Sequence, residues 1–114
     1  NDLQDFRKRR VFLVESRTAF VANTATLSPQ GREFLSTLAV FVKEVPARVV
    51  VSESGNDNNV DFGIARSMSV IKYLVEKGLS ADICNVGAAG MSPSENFAKT
   101  RMLEIVLLDE RMAK

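Results

Sequence analysis

Apolar positions recur along this chain with two spacings, and each spacing predicts an element. Val11 to Val14 form a short continuous apolar run, read as a strand buried on both faces. Ser16 to Thr26 is small and polar, with Phe20 and Val21 inside it, and reads as a loop that tucks one aromatic ring against the core. Phe34, Leu35, Leu38, Val42 and Val45 then follow at helical spacing, with Ser28 as the cap and Pro29 at the first helical position. Gly31 weakens the first turn and Pro46 closes the segment. Arg48 to Ser52 is a strand centred on three valines.

A second helix is predicted from within the stretch Asn56 to Arg66 to about Lys77. Its apolar stripe is Ile64, Met68, Ile71, Leu74 and Val75, with Arg66, Lys72 and Glu76 projecting elsewhere. Gly78 stops it. Asp82 to Val86 reads as a third strand and Gly87 to Gly90 as a loop. Ser92-Pro93-Ser94-Glu95 is a capping box that starts a short helix to about Lys99. In the last strand Leu103, Ile105 and Leu107 alternate with Met102, Glu104, Val106 and Leu108.

In the order β-α-β-α-β-(short α)-β, a strand–helix–strand crossover within one sheet forces neighbouring strands to run parallel, and the crossover is right-handed. The fold class expected is α/β: a two-layer sandwich, with a four-stranded mixed sheet and two long helices on one face. Residues 1–10 read as a polar, basic linker, 11–109 as the domain, and 110–114 as a charged tail.

Composition narrows the function classes. The chain has 114 residues, 46% hydrophobic and 25% charged, enough for one domain with a proper core. The net charge of +1 gives no general drive towards nucleic acid or anionic membrane, so the cluster Arg7-Lys8-Arg9-Arg10 reads as solvated linker. There is no histidine, which removes the commonest general base and zinc ligand. The single cysteine, Cys84, sits among apolar neighbours and reads as a small buried hydrophobe. No apolar run approaches the roughly 18 residues of a membrane span, and no signal peptide is visible. The chain starts at Asn1, so any anchor or targeting segment is expected in sequence outside it. No glycine-rich phosphate motif is present, and Asp57 with Asp61 reads as dipole compensation at a helix start. No enzyme, cofactor or metal is expected.

The polar stretch Asn56 to Arg66 joins a strand to a helix, an arrangement that gathers side chains and free N–H groups at one rim. Arg66, two turns into the helix, can reach back over the loop, and a guanidinium beside Asn and Asp side chains clamps a carboxylate in bidentate fashion. A capped, solvated helix start is the other reading of the same residues. Arg101 adds a second cation if the first and last junctions face the same way; otherwise it pairs with a surface carboxylate.

Several motifs, taken in order, resemble the OmpA/Pal/MotB family of peptidoglycan-associating domains. Thr24-Ala25-Thr26-Leu27-Ser28-Pro29-Gln30-Gly31 resembles the family's approach to its first helix, nearest the MotB-like branch of flagellar stators. Tyr73 to Gly78 resembles the end of its second helix, and Ala98 to Ile105 its last strand. The likeness runs from about Phe20 to Leu108. It implies a non-catalytic, periplasmic cell-envelope module that holds the diaminopimelate of the peptidoglycan stem, with membrane attachment only through segments not in this chain. The resemblance places Asn56, Asn59 and Arg66 at the site, with Arg66 on the ligand carboxylate. Asp57, one place on, substitutes for the family's acid if the loop shifts, and Arg101 joins them if the first and last junctions face the same way. The expected site is therefore Asn56, Asp57, Asn59, Arg66 and Arg101.

The sequence also departs from the family. Its G-H-T-D is Glu53-Ser54-Gly55-Asn56 here, so an amide replaces the acid that meets the ligand's ammonium. Leu-Ser has become Phe62-Gly63, and the loop is shortened. The alternative expectation is therefore a degenerate domain that has lost peptidoglycan binding. It would serve as a protein–protein module or a homodimerisation module in a motor, secretion system or outer-membrane assembly.

Overall fold

The computed structural model describes residues 9–45, 47–55, 57, 59–87 and 100–109. The elements are β1 (Arg9–Glu15), α1 (Ser16–Ala19), α2 (Pro29–Glu44), β2 (Ala47–Ser54), α3 (Val60–Glu76), a 3-10 turn (Ala81–Ile83), β3 (Cys84–Val86) and β4 (Met102–Asp109). The expected capping box and short helix at 92–99 lie outside the described residues.

The sheet is mixed, in the order β1-β4-β2-β3. Among the described strands only β2 and β3 are parallel neighbours. The last strand inserts between β1 and β2 and runs antiparallel to both. Strands β1 and β2 point the same way, as the crossover requires, but β4 lies between them. Strand β2 in turn lies between β3 and β4, so of the consecutive pairs β2 and β3 alone are neighbours in the described sheet.

Strand alternation assigns one face of this sheet to the core. Phe12, Ile105 and Val51 share one row, and Val14, Leu103 and Glu53 the next. Against the apolar part of that face pack Leu35, Leu38, Ala39 and Val42 of α2 and Val70 and Leu74 of α3. Both long helices thus lie on one face, and a hydrogen bond between Ser36 and Tyr73 ties them together. Val11 and Leu13 point away from the core and are exposed, so β1 is not buried on both faces. As an edge strand it presents one face to solvent.

Two local signals behave as the chain predicts. Ser28 Oγ accepts the Gly31 N–H at 3.0 Å, with Pro29 at the first helical position. Gly78 ends α3 with φ of 109°, a conformation that L side chains avoid. Gly31 has a positive role the sequence did not suggest: a Cβ there would fall 2.2 Å from the Ala19 carbonyl oxygen. The close contact belongs to α1, which occupies the first four residues of the segment expected to be a loop. Phe20 follows it and is buried, as expected.

Helix α3 is rotated relative to the predicted stripe. Ile64 is 45% exposed and Met68 52%, and Val75 is exposed as well. The buried face instead carries Gly63, Arg66, Ser67, Val70 and Leu74.

Candidate functional site

The rotation of α3 is explained by a charged cluster at the end of β2. The alternation of β2 that buries Ala47, Val49 and Val51 also sends Glu53 to the core side, where the residue is only 4% exposed. A carboxylate in that row must be paired or it neutralises. Arg66, 5% exposed, donates Nη1–H to Glu53 Oε2 at 3.0 Å. Arg101 donates Nε–H to Oε2 at 2.9 Å and Nη2–H to Oε1 at 2.6 Å. Two guanidiniums therefore hold one buried carboxylate.

Arg66 is fixed on its other sides as well. Its Nε–H goes to the Thr24 carbonyl at 2.8 Å, and its guanidinium carbon lies 4.6 Å from the Phe20 ring centre and 4.3 Å from that of Phe62. Sandwiched cations of this kind gain from both ring faces. The sequence places Arg66 as a fork above an amide-rich rim. The structure places it beneath that rim, engaged by Glu53, Thr24 and two aromatic rings.

The rim itself is ordered by caps. Asn59 Oδ1 accepts the Phe62 N–H at 3.1 Å and so caps α3. Asp57 Oδ1 accepts the Asn59 N–H at 3.1 Å and is also paired with Arg101 Nη1. Arg101 reaches on to the Asn59 carbonyl at 3.3 Å. Asp57, Asn59, Arg66 and Arg101 are thereby brought together, and Asn56 lies outside the described residues. Asp61, paired with Asp57 in the sequence reading, sits in the first turn of α3.

The protonation states follow from these contacts. Burial pushes the Glu53 carboxyl up, but the donors around it outweigh burial: Arg101 first, then the Ser16 hydroxyl and Arg66. The net result is an acid held below its ordinary value. Among the described residues the buried Ser16 Oγ meets no partner in full hydrogen-bonding geometry, so its help to Glu53 is that of a nearby hydroxyl dipole. The hydrogen bond from Arg101, followed by the Asn59 N–H, holds Asp57 below its usual value too. The Glu53 contact in turn raises Arg101. Cys84 is buried and its thiol is pushed up by that burial, as suits a core residue.

Over this cluster opens a groove of about 550 Å³, lined by Ser16, Ala22, Asn23, Asp57, Asn59, Phe62, Arg66 and Arg101 among others. Two glycines let the elements that carry the charged cluster approach one another closely. A Cβ on Gly63 would lie 2.2 Å from the Glu53 carbonyl oxygen, and one on Gly55 would lie 2.6 Å from Arg101 Cγ. Glu53 is the functional-site residue that sequence reasoning missed. Its signal was present: a charged residue two places after Val51, on the face that the valines bury.

Among the described residues, no group of three metal-ligating side chains converges and no helix is long and apolar enough to cross a membrane. What remains is a two-layer α/β domain with a charged, amide-rimmed groove beside the start of α3.

No family model matches the sequence. Outer membrane protein A of Bordetella avium is 26% identical over 107 residues, covering 82% of this chain and 55% of that protein. The chain thus spans about half the length of this curated relative. The periplasmic domain of Helicobacter pylori MotB matches in structure with a TM-score of 0.73 and 15% identity, over 91% of this chain and 85% of that one. The cell wall anchor of the T6SS from Pseudomonas aeruginosa matches with a TM-score of 0.67 and 19% identity, over 89% and 82%. Shared fold and distant sequence likeness together bear out the resemblance to the OmpA-like/MotB periplasmic domain family.

Proposed function

We propose that this chain is a non-catalytic cell-envelope anchoring module of the OmpA/MotB type. In this reading it works in the periplasm and engages the diaminopimelate-containing stem of peptidoglycan, weakly, in the groove beside α3. Membrane attachment is left to segments outside this chain. The observation that carries the reading is convergence: Asp57, Asn59, Arg66 and Arg101 line one open groove. Asn56, adjacent in sequence, completes the proposed site.

Diaminopimelate presents carboxylates and an ammonium close together. Asp57, exposed and held ionised, supplies a partner for the ammonium. The guanidiniums and the Asn23 and Asn59 amides supply donors for the acid and peptide groups. Weak binding follows from the charge balance, since Arg66 and Arg101 already face Glu53 and Asp57. The test is co-sedimentation with purified sacculi, with free stem peptide as competitor. A pelleted fraction that falls as competitor is added supports the reading; no pelleted protein at any concentration sinks it.

Two observations favour a second reading, a degenerate wall-binder that serves as a protein–protein or dimerisation module. One is the same charge balance. The other is an exposed apolar line on α3 made by Val60, Ile64, Met68 and Val75. Under that reading sacculi fail to pellet the protein, and sedimentation velocity shows concentration-dependent association.

A further inference from the structure

We infer that Glu53 is a built-in occupant of a two-arginine carboxylate seat, and that it competes with any acidic ligand entering the groove. The inference deepens the wall-peptide reading and rests on it for the ligand's identity, but the seat itself is read from geometry.

Four contacts from two guanidiniums converge on the Glu53 carboxylate. Arg101 Nε reaches both oxygens, at 3.1 and 2.9 Å, Arg101 Nη2 takes Oε1, and Arg66 Nη1 takes Oε2. The buried Ser16 hydroxyl lies beside them and also helps to hold the carboxylate ionised. The Phe62 ring centre lies 4.3 Å from the Arg66 guanidinium carbon and 5.1 Å from that of Arg101, and the Phe20 ring centre lies 4.6 Å from that of Arg66. Paired donors with a fixed spacing, backed by aromatic rings, are what a receptor for one planar carboxylate requires. Here the chain fills that receptor itself.

The seat belongs to the groove as well as to the core. Arg66, Arg101 and Ser16 all line the groove, while Glu53 reaches the guanidiniums from the strand side. A carboxylate arriving from solvent therefore meets the same two guanidiniums with their inner edges taken. Tethering gives Glu53 a high effective concentration, so a free acid displaces it only at a cost in affinity. Two arginines against Glu53 and Asp57 also leave the cluster neutral. Removing Glu53 leaves a net charge of +1 at the floor of the groove and empties the seat.

The experiment compares the wild-type protein with Glu53→Ala. Meso-diaminopimelate is titrated into each by NMR, and acetate against chloride at equal ionic strength is used in thermal melts. The inference expects the alanine variant to bind meso-diaminopimelate about tenfold tighter or more, the scale of one charge-assisted contact. It also expects acetate, and not chloride, to raise the melting temperature of the variant while leaving the wild type unchanged. If the variant does not fold in plain buffer, acetate is expected to restore its circular dichroism. Equal affinities of the two proteins overturn the inference and leave the wall-peptide reading standing. A variant that acetate neither stabilises nor refolds also overturns it. Acetate rescue without diaminopimelate binding by either protein supports the seat and overturns the wall-peptide reading.

Discussion

The two long helices obey different rules. Helix α2 buries Leu35, Leu38, Ala39 and Val42, the side its apolar periodicity marks. Helix α3 buries Arg66, Gly63 and Ser67 beside Val70 and Leu74, and leaves Ile64 and Met68 to solvent. The difference lies in what each helix faces. The apolar side chains of the sheet and its surrounds receive α2. The first half of α3 meets the end of β2, where Glu53 stands in the core row and needs a cation. Pairing the buried carboxylate outweighs full burial of Ile64 and Met68: an unpaired buried charge costs about 3–5 kcal/mol, whereas these two residues, 45% and 52% exposed, forgo only about half of the roughly 1.5–3 kcal/mol each could contribute.

The largest expected effect tests that ranking directly. Arg66→Ala removes one of the two cations on Glu53 and the stack between Phe20 and Phe62. It is expected to destabilise the fold by about 3–5 kcal/mol in urea titration, as for a broken buried pair. A loss below about 1 kcal/mol, the range of exposed ion pairs, would show that Arg101 alone holds Glu53.

A somewhat smaller effect separates the two faces of α3. Val70→Ala, at a buried position outside the predicted stripe, is expected to cost about 1.5–3 kcal/mol by the same measurement, as for two buried methyl groups and the space they leave. Met68→Ala, on the predicted apolar stripe, is expected to stay within about 0.5 kcal/mol in the monomer. Similar costs for the two would mean that α3 presents its periodic stripe to the core after all.

The smallest expected effect is the acid limb of stability. Glu53 has a folded pKa below its ordinary value of 4.5, so its contribution is present above that value and lost as pH falls through the folded one. Asp57 acts with the same sign. Melting temperature should therefore decline below about pH 4.5, and less steeply in Glu53→Gln than in the wild type. Parallel acid limbs in the two proteins would remove Glu53 from the account.

Much of the fold was legible because its signals are local. Ser28 and Pro29 start α2, Gly78 ends α3, and Leu103, Ile105 and Leu107 alternate into the core as period two requires. The candidate site was half legible. Asn59 and Arg66 stand out by type and spacing, and Arg101 by its place before the last strand. Glu53 was not legible, because the apolar strand signal ends at Val51 and hides the parity that turns the acid inward. The three valines read as a complete strand, whereas β2 runs on to Ser54 and carries Glu53 into the core row.

By itself the sequence determined the order and type of the main elements, the caps that bound the helices, and the resemblance to OmpA-like and MotB domains. Those depend on contacts within a few residues. The position of β4 between β1 and β2, the face that α3 turns inward, and the capture of Glu53 by Arg66 and Arg101 were decided only by the tertiary structure. Each joins groups far apart in the chain: 13 residues separate Arg66 from Glu53, and 48 separate Arg101 from it. Helical periodicity reports which side of α3 is apolar. It does not report that a carboxylate waits opposite the other side.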